Sequence, residues 1–190
     1  MSITPALLCV AVLLTQAPPK DIDGRSFAAV LRGEKQAHRD EIYATHSGDK
    51  DFNVYPIRCV RTVQWKYLFN LHPEFQYSTH INRGGDRDGL DYFRSWEAAA
   101  KTDSKAAAVV RRYKERPREE LYSLAADPHE QKNLAADSQH AARLIEMRGK
   151  VAAWMKEQGD AATVFGQPLL LGQDATLLPT GAAKAKAKKE

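Results

Sequence analysis

The spacing of apolar positions changes along this chain, and the changes mark out its elements. Between Gln139 and Gln158, Leu144, Met147, Val151 and Trp154 recur at intervals of three and four, which places them on one face of a helix. Arg143, Lys150 and Lys156 fall elsewhere on it, Asp137 or Ser138 supplies the N-cap, and Gly159 the stop. That stripe reads as a core face, not a cofactor-binding one. Three β-prone runs come earlier: Glu41 to His46, Ile57 to Val63 and Trp65 to Asn70. In the second, Ile57, Cys59, Arg61 and Val63 share one face, while Arg58, Val60 and Thr62 share the other. Val63 and Trp65 are too close for a wide loop, so a tight hairpin is predicted. A fourth strand runs from Glu119 to Leu124 and is closed off by Asp127-Pro128, because proline has no N–H to donate and restricts the residue before it.

Between these runs, His72 to Gly89 reads as a long loop, and Asp91 to Glu115 as helical with a break near Thr102-Asp103-Ser104. Residues 4–15 read as a buried helix or strand that stops at Ala17-Pro18-Pro19, and Asp21-Ile22-Asp23-Gly24 as a turn. Ser26 can cap a short helix from Phe27 to Leu31 that ends at Gly33. Beyond Gly166 no regular pattern continues, and Gly181 to Glu190 is an Ala/Lys tail of the composition that stays disordered. The fold class is therefore α+β, a small four-stranded antiparallel sheet covered by a C-terminal amphipathic helix.

With 190 residues and 43% apolar composition, the chain can fill one real core. Its formal net charge of +4 is largely a tail property, since Lys184, Lys186, Lys188 and Lys189 against Glu190 account for most of it. The basic balance thus argues against nucleic acid as a partner. The two cysteines, Cys9 and Cys59, form neither a disulfide framework nor a zinc spacing, and read as buried thiols. The apolar run Ala6 to Leu14 is too short for a membrane span, and no Lys or Arg precedes it as in a secretory signal. Localisation stays open.

The run Glu119-Glu120-Leu121-Tyr122-Ser123-Leu124-Ala125-Ala126-Asp127-Pro128-His129-Glu130-Gln131-Lys132-Asn133-Leu134 has the form E-L-Y-x-L-x-x-D-P-x-E-x-x-N-L. It resembles a segment near the C-terminus of sulfatases, the hydrolases of sulfate esters and sulfamates. Three further segments resemble that family in its own order. They are Ser2 to Leu8 (the family's D-I-x-P-T-L-L), Pro18 to Phe27 with Leu31-Arg32-Gly33, and Tyr55 to Leu68 (R-x-V-R-T-x-x-Y/W-K-Y). Thr45-His46, Tyr55-Pro56-Ile57-Arg58 and Asn70-Leu71-His72-Pro73 look most like the heparan N-sulfatase (sulfamidase) type. The resemblance implies that residues 1–33 are the end of a catalytic α/β domain, 34–160 the sulfatase C-terminal subdomain, and 161–190 an irregular extension. It turns the N-terminal apolar run into core, not a signal. The chain departs from the pattern in opening Ser-Ile and in a longer connection from Cys9 to Gln16.

By the same resemblance, catalysis would need a formylglycine made from a C/S-x-P-x-R motif and a calcium ion that offsets charge on the sulfate. Neither cysteine qualifies: Cys9 is followed by Val10-Ala11-Val12 and Cys59 by Val60-Arg61-Thr62. The family's paired calcium-binding acids have no counterpart either, so no metal or catalytic residue is assigned and the chain alone is expected to be inactive. What remains is a wall of a substrate pocket. His46 closes a strand before Ser47-Gly48 and is the candidate contact to a sulfated sugar, the alternative being a solvent-exposed strand-end histidine. Arg58 and Arg61 can pair with sulfate or carboxylate, the alternative being that they pair with nearby acids such as Glu120 or face solvent. The expected partners are the missing catalytic domain and a sulfated glycan. Two functions compete: the C-terminal part of a sulfatase, and a non-catalytic accessory module that binds a sulfated glycan or a partner chain.

Overall fold

The computed structural model describes residues 24–48, 53–83 and 90–173. The segments expected at residues 4–15 and Ser2 to Leu8, most of the Asp21–Gly24 turn, and the Ala/Lys tail lie outside those residues. The chain divides into two compact units, Met1–Asp40 and Glu41–Glu190. In the first, helix α1 covers Ala28–Leu31. The Ser26 hydroxyl accepts from Ala28 N at 3.3 Å, and Gly33 ends the turn in the left-handed region, with φ of +73°.

The second unit is built on a four-stranded sheet in sequence order: β1 (Glu41–His46), β2 (Ile57–Thr62), β3 (Trp65–Asn70) and β4 (Glu119–Ser123). All neighbours are antiparallel. β2 and β3 form the predicted hairpin, with Val63 exposed in the turn rather than extending β2. The Thr62 hydroxyl accepts from Trp65 N at 3.0 Å and so closes that turn. Between β3 and β4 lie α2 (His80–Arg83), α3 (Leu90–Ala100) and α4 (Ser104–Lys114). The break between α3 and α4 is fixed by Asp103, whose Oδ1 accepts from Lys105 N at 2.7 Å and Ala106 N at 3.3 Å. A 3-10 turn (Ser138–His140), capped by Asp137, leads into the long helix α5 (Ala141–Glu157).

Register decides which side chains share a face. Val60 stands opposite Tyr67, and Tyr67 opposite Leu121. These three form the core with Leu134, Leu144, Met147 and Val151, so the apolar stripe of α5 covers this face as its spacing predicts. Tyr43 stacks on Trp154 at the same face, with centroids 5.3 Å apart and rings 12° from parallel. A second cluster packs at the end of the sheet. There Tyr55 meets Tyr77 edge-on, and Tyr77 and Phe93 both meet Tyr113. The stretch expected to be a loop after His72 belongs to this cluster: Phe75 and Gln76 are buried, and Phe75 bridges to Leu170. That pairing also orders the chain beyond Gly166, where Leu169 is buried. No helix among the described residues is long and apolar enough to cross a membrane.

Candidate functional site

His46 closes β1 opposite Ile57, on the sheet face away from α5, and the ring is half-buried. Its Nε2 lies 2.9 Å from the carbonyl oxygen of Asn53. Asn53 has φ of +54°, a left-handed conformation that asparagine adopts more readily than most residues. This bond orients the imidazole at the strand end.

Arg58 sits on the opposite, α5-facing side of the sheet and is only 3% exposed. Its guanidinium forks onto Asp160, just past α5, with Nη2 donating to Oδ1 at 2.9 Å and Nε donating to the other oxygen. The Nη1 group donates to the carbonyls of His46 (3.1 Å) and Ile57 (3.0 Å). The Arg58 fork holds the Asp160 carboxyl below its ordinary range. The acid that Arg58 finds is therefore Asp160 and not Glu120. Arg61 lies on the His46 face and is exposed, and its side chain makes no hydrogen bond or ion pair among the described residues. The structure thus brings the Arg58 side chain to the His46 backbone, and leaves Arg61 free at the surface.

Glu120 is the most heavily bonded acid. Arg116 donates to both of its oxygens at 2.8 Å, the Tyr122 hydroxyl donates at 2.5 Å, and Asn70 Nδ2 at 2.7 Å. Burial pulls this carboxyl up, but the Arg116 fork and the other donors outweigh it and hold it below its ordinary value. Burial, reinforced by the bond to Glu120, pushes the Tyr122 phenol far up. Cys59 is half-buried, and burial pushes its thiol up, which keeps it a poor nucleophile.

Among the described residues no group of three or more His, Cys, Asp or Glu is placed to hold a metal ion. Sequence reasoning missed a feature on the same face of the sheet as His46, at the opposite, β4 edge. A cleft of about 480 Å³ opens there between α3, α4 and the turn after β4, lined by Trp96, Arg112, Arg116 and His129 among others. The signal was available in the run Arg111-Arg112-Tyr113-Lys114-Glu115-Arg116-Pro117-Arg118, which averaging over the whole chain concealed.

No family profile matches the chain. Among curated proteins it is similar to two ulvan-active sulfatases of Formosa agariphila. The first is 28% identical over 156 residues, 80% of this chain and 28% of the relative. The second is 29% identical over 161 residues, 84% of this chain and 25% of the relative. The chain thus spans about a quarter of the length of the curated relatives it matches. Among solved structures, a 2-O GAG sulfatase superposes over 85% of this chain and 26% of its own, with a TM-score of 0.51 and 23% identity. A protein of Bacteroides thetaiotaomicron described as a candidate sulfatase superposes over 90% of this chain and 31% of its own, with a TM-score of 0.53 and 21% identity. The four-stranded sheet with its helices is the α+β architecture of the sulfatase C-terminal subdomain. The chain is thus similar in sequence to a part of these curated sulfatases, and in fold to a part of the two solved structures.

Proposed function

We propose that this chain is the C-terminal portion of a sulfatase that hydrolyses sulfuric esters or sulfamates of a glycan. The observation that carries this reading is the sequence likeness to ulvan-active sulfatases over four fifths of the chain. The segment from Glu119 to Leu134 supports it, because its residues have definite structural work. Asn133 Oδ1 accepts from Leu121 N at 2.9 Å, its Nδ2 donates to the Glu119 carbonyl at 3.0 Å, and Leu134 N donates to the Leu121 carbonyl at 2.8 Å. In this reading the formylglycine and calcium belong to the rest of the full-length enzyme, and this stretch supplies one wall of the substrate pocket.

On that wall His46 and Arg61 face the same way, His46 as a contact to a sulfated sugar and Arg61 as a cation for its sulfate or carboxylate. Arg58 acts from behind, by fixing the strand end that carries His46. The finer reading, a heparan N-sulfatase type, rests on Thr45-His46, the Tyr55-Pro56-Ile57-Arg58 entry and Asn70-Leu71-His72-Pro73.

The test is the intact mass of the protein from its own source, together with release of inorganic sulfate from a sulfated glycan. A mass well above the 21.2 kDa of this chain, with sulfate release, is expected. A 21.2 kDa protein that binds the glycan without releasing sulfate would overturn the reading in favour of an accessory module.

A further inference from the structure

The cleft behind β4 is not an isolated hollow. A second cleft of about 460 Å³ adjoins it, lined by Ala108, Arg111, Glu115 and three residues of the first: Val109, Arg112 and Gln131. Arg112 therefore stands where two hollows meet, each within the size range of about 300–1,000 Å³ in which small ligands bind. Its charge also differs in kind from its neighbours'. Arg116 is met by Glu120, Lys114 by Glu97 and Lys66 by Glu130. Arg112 instead donates to neutral acceptors, the Gln131 carbonyl at 2.9 Å through Nη1 and Gln131 Oε1 at 2.7 Å through Nη2.

That arrangement fixes the plane of the guanidinium without neutralising it. The donors it does not spend on Gln131 remain available, and a planar fork of this kind matches carboxylate and sulfate oxygens. Arg111 adds a second exposed cation that is in no ion pair among the described residues. On the far wall Trp96 is 47% exposed, and Val109 between the hollows is 48% exposed. An aromatic face beside unneutralised cations suits a ligand that alternates apolar ring faces with anionic groups. The two joined hollows suit one that is longer than a single ring.

We propose that this double cleft is a binding site for an anionic oligosaccharide, with Arg112 taking a sulfate or carboxylate and Trp96 stacking on a sugar ring. The choice of a saccharide over other anionic chains rests on the sulfatase reading above. The site lies apart from His46 and Arg61 and holds the polymer without acting on it.

The test is a titration of the full chain with a heparin tetrasaccharide, at about 0.15 M salt so that diffuse surface attraction is screened. The same tetrasaccharide without sulfates and a short single-stranded DNA serve as comparison probes. Arg112→Ala and Trp96→Ala are expected to weaken heparin binding about tenfold or more each, while Arg112→Lys, which keeps charge but loses the fork, falls between. Lys101→Ala is expected to leave it unchanged, His46→Ala is measured beside it as the probe of the pocket wall, and circular dichroism melts show that each variant is folded. Loss only in His46→Ala would overturn the cleft proposal while leaving the pocket-wall reading intact. No binding of the tetrasaccharide, equal loss in every variant, or DNA binding as tight and as dependent on Arg112 would each overturn it.

Discussion

Arg58 and Asp160, 102 positions apart in sequence, meet in a two-pronged ion pair that ties β2 to the end of α5. Their side chains are 4% and 15% exposed, so the two do not fare alike when the pair is broken. Removing the acid strands a buried guanidinium, whereas removing the arginine leaves an acid that still reaches water. Asp160→Ala is expected to cost about 3 kcal/mol and Arg58→Met less, both read from urea denaturation. Equal small losses would show that the pair adds little to stability.

The Glu120 network makes stability depend on acid in a defined direction. The folded carboxyl titrates below its ordinary value of 4.5, so the unfolded chain binds more protons in this range. The contribution is therefore complete above that value and is lost as pH falls through the lower folded one. Glu119, held low by Arg148, and Glu41, held low by Lys150, add in the same sense. Urea midpoints measured at falling pH should drop below 4.5, and Glu120→Gln should flatten the drop while lowering stability at neutral pH. A variant with an unchanged slope would remove Glu120 from the explanation.

Asn133 extends β4 by imitating a strand: its amide both accepts from and donates to the backbone at Leu121 and Glu119. Asn133→Ala leaves those groups to water or unpaired, at about 1–3 kcal/mol. Asn133→Asp keeps the acceptor but puts a carboxylate oxygen against the Glu119 carbonyl. It is expected to be as damaging as alanine, and a thermal melt of both variants decides this.

Met147 is fully buried between α5 and the sheet. Met147→Ala should cost about 2–5 kcal/mol by leaving a cavity, and Met147→Leu under about 1.5 kcal/mol. Ile145, on the same helix but 63% exposed, serves as the comparison: Ile145→Ala should fall within about 0.5 kcal/mol of the parent.

The strands and α5 were readable because their side chains alternate or recur with the period of the element, and their burial follows that period. Asp103 was readable as a break because its side chain competes for helix N–H groups. Phe75 and Leu169 were not, since their burial comes from a bridge between segments almost a hundred positions apart that leaves no local period. The same limit hid the partner of Arg58: nearby acids such as Glu120 were in view, while Asp160 reaches it only once α5 has crossed the sheet. For the site, His46 at a strand end was legible. The cation cluster around Arg112 was not, because a whole-chain charge balance cannot distinguish neutralised from unneutralised cations.

The long reach of these contacts also sets when the unit can fold during synthesis. Tyr43 needs Trp154, Glu41 needs Lys150, and Arg58 needs Asp160. The first three strands leave the ribosome with one face bare, and the helix that covers it is among the last parts of the described chain to emerge. A translating ribosome that stalls near residue 140 would expose a sheet with Val60 and Tyr67 open to solvent, a substrate for chaperones and proteases.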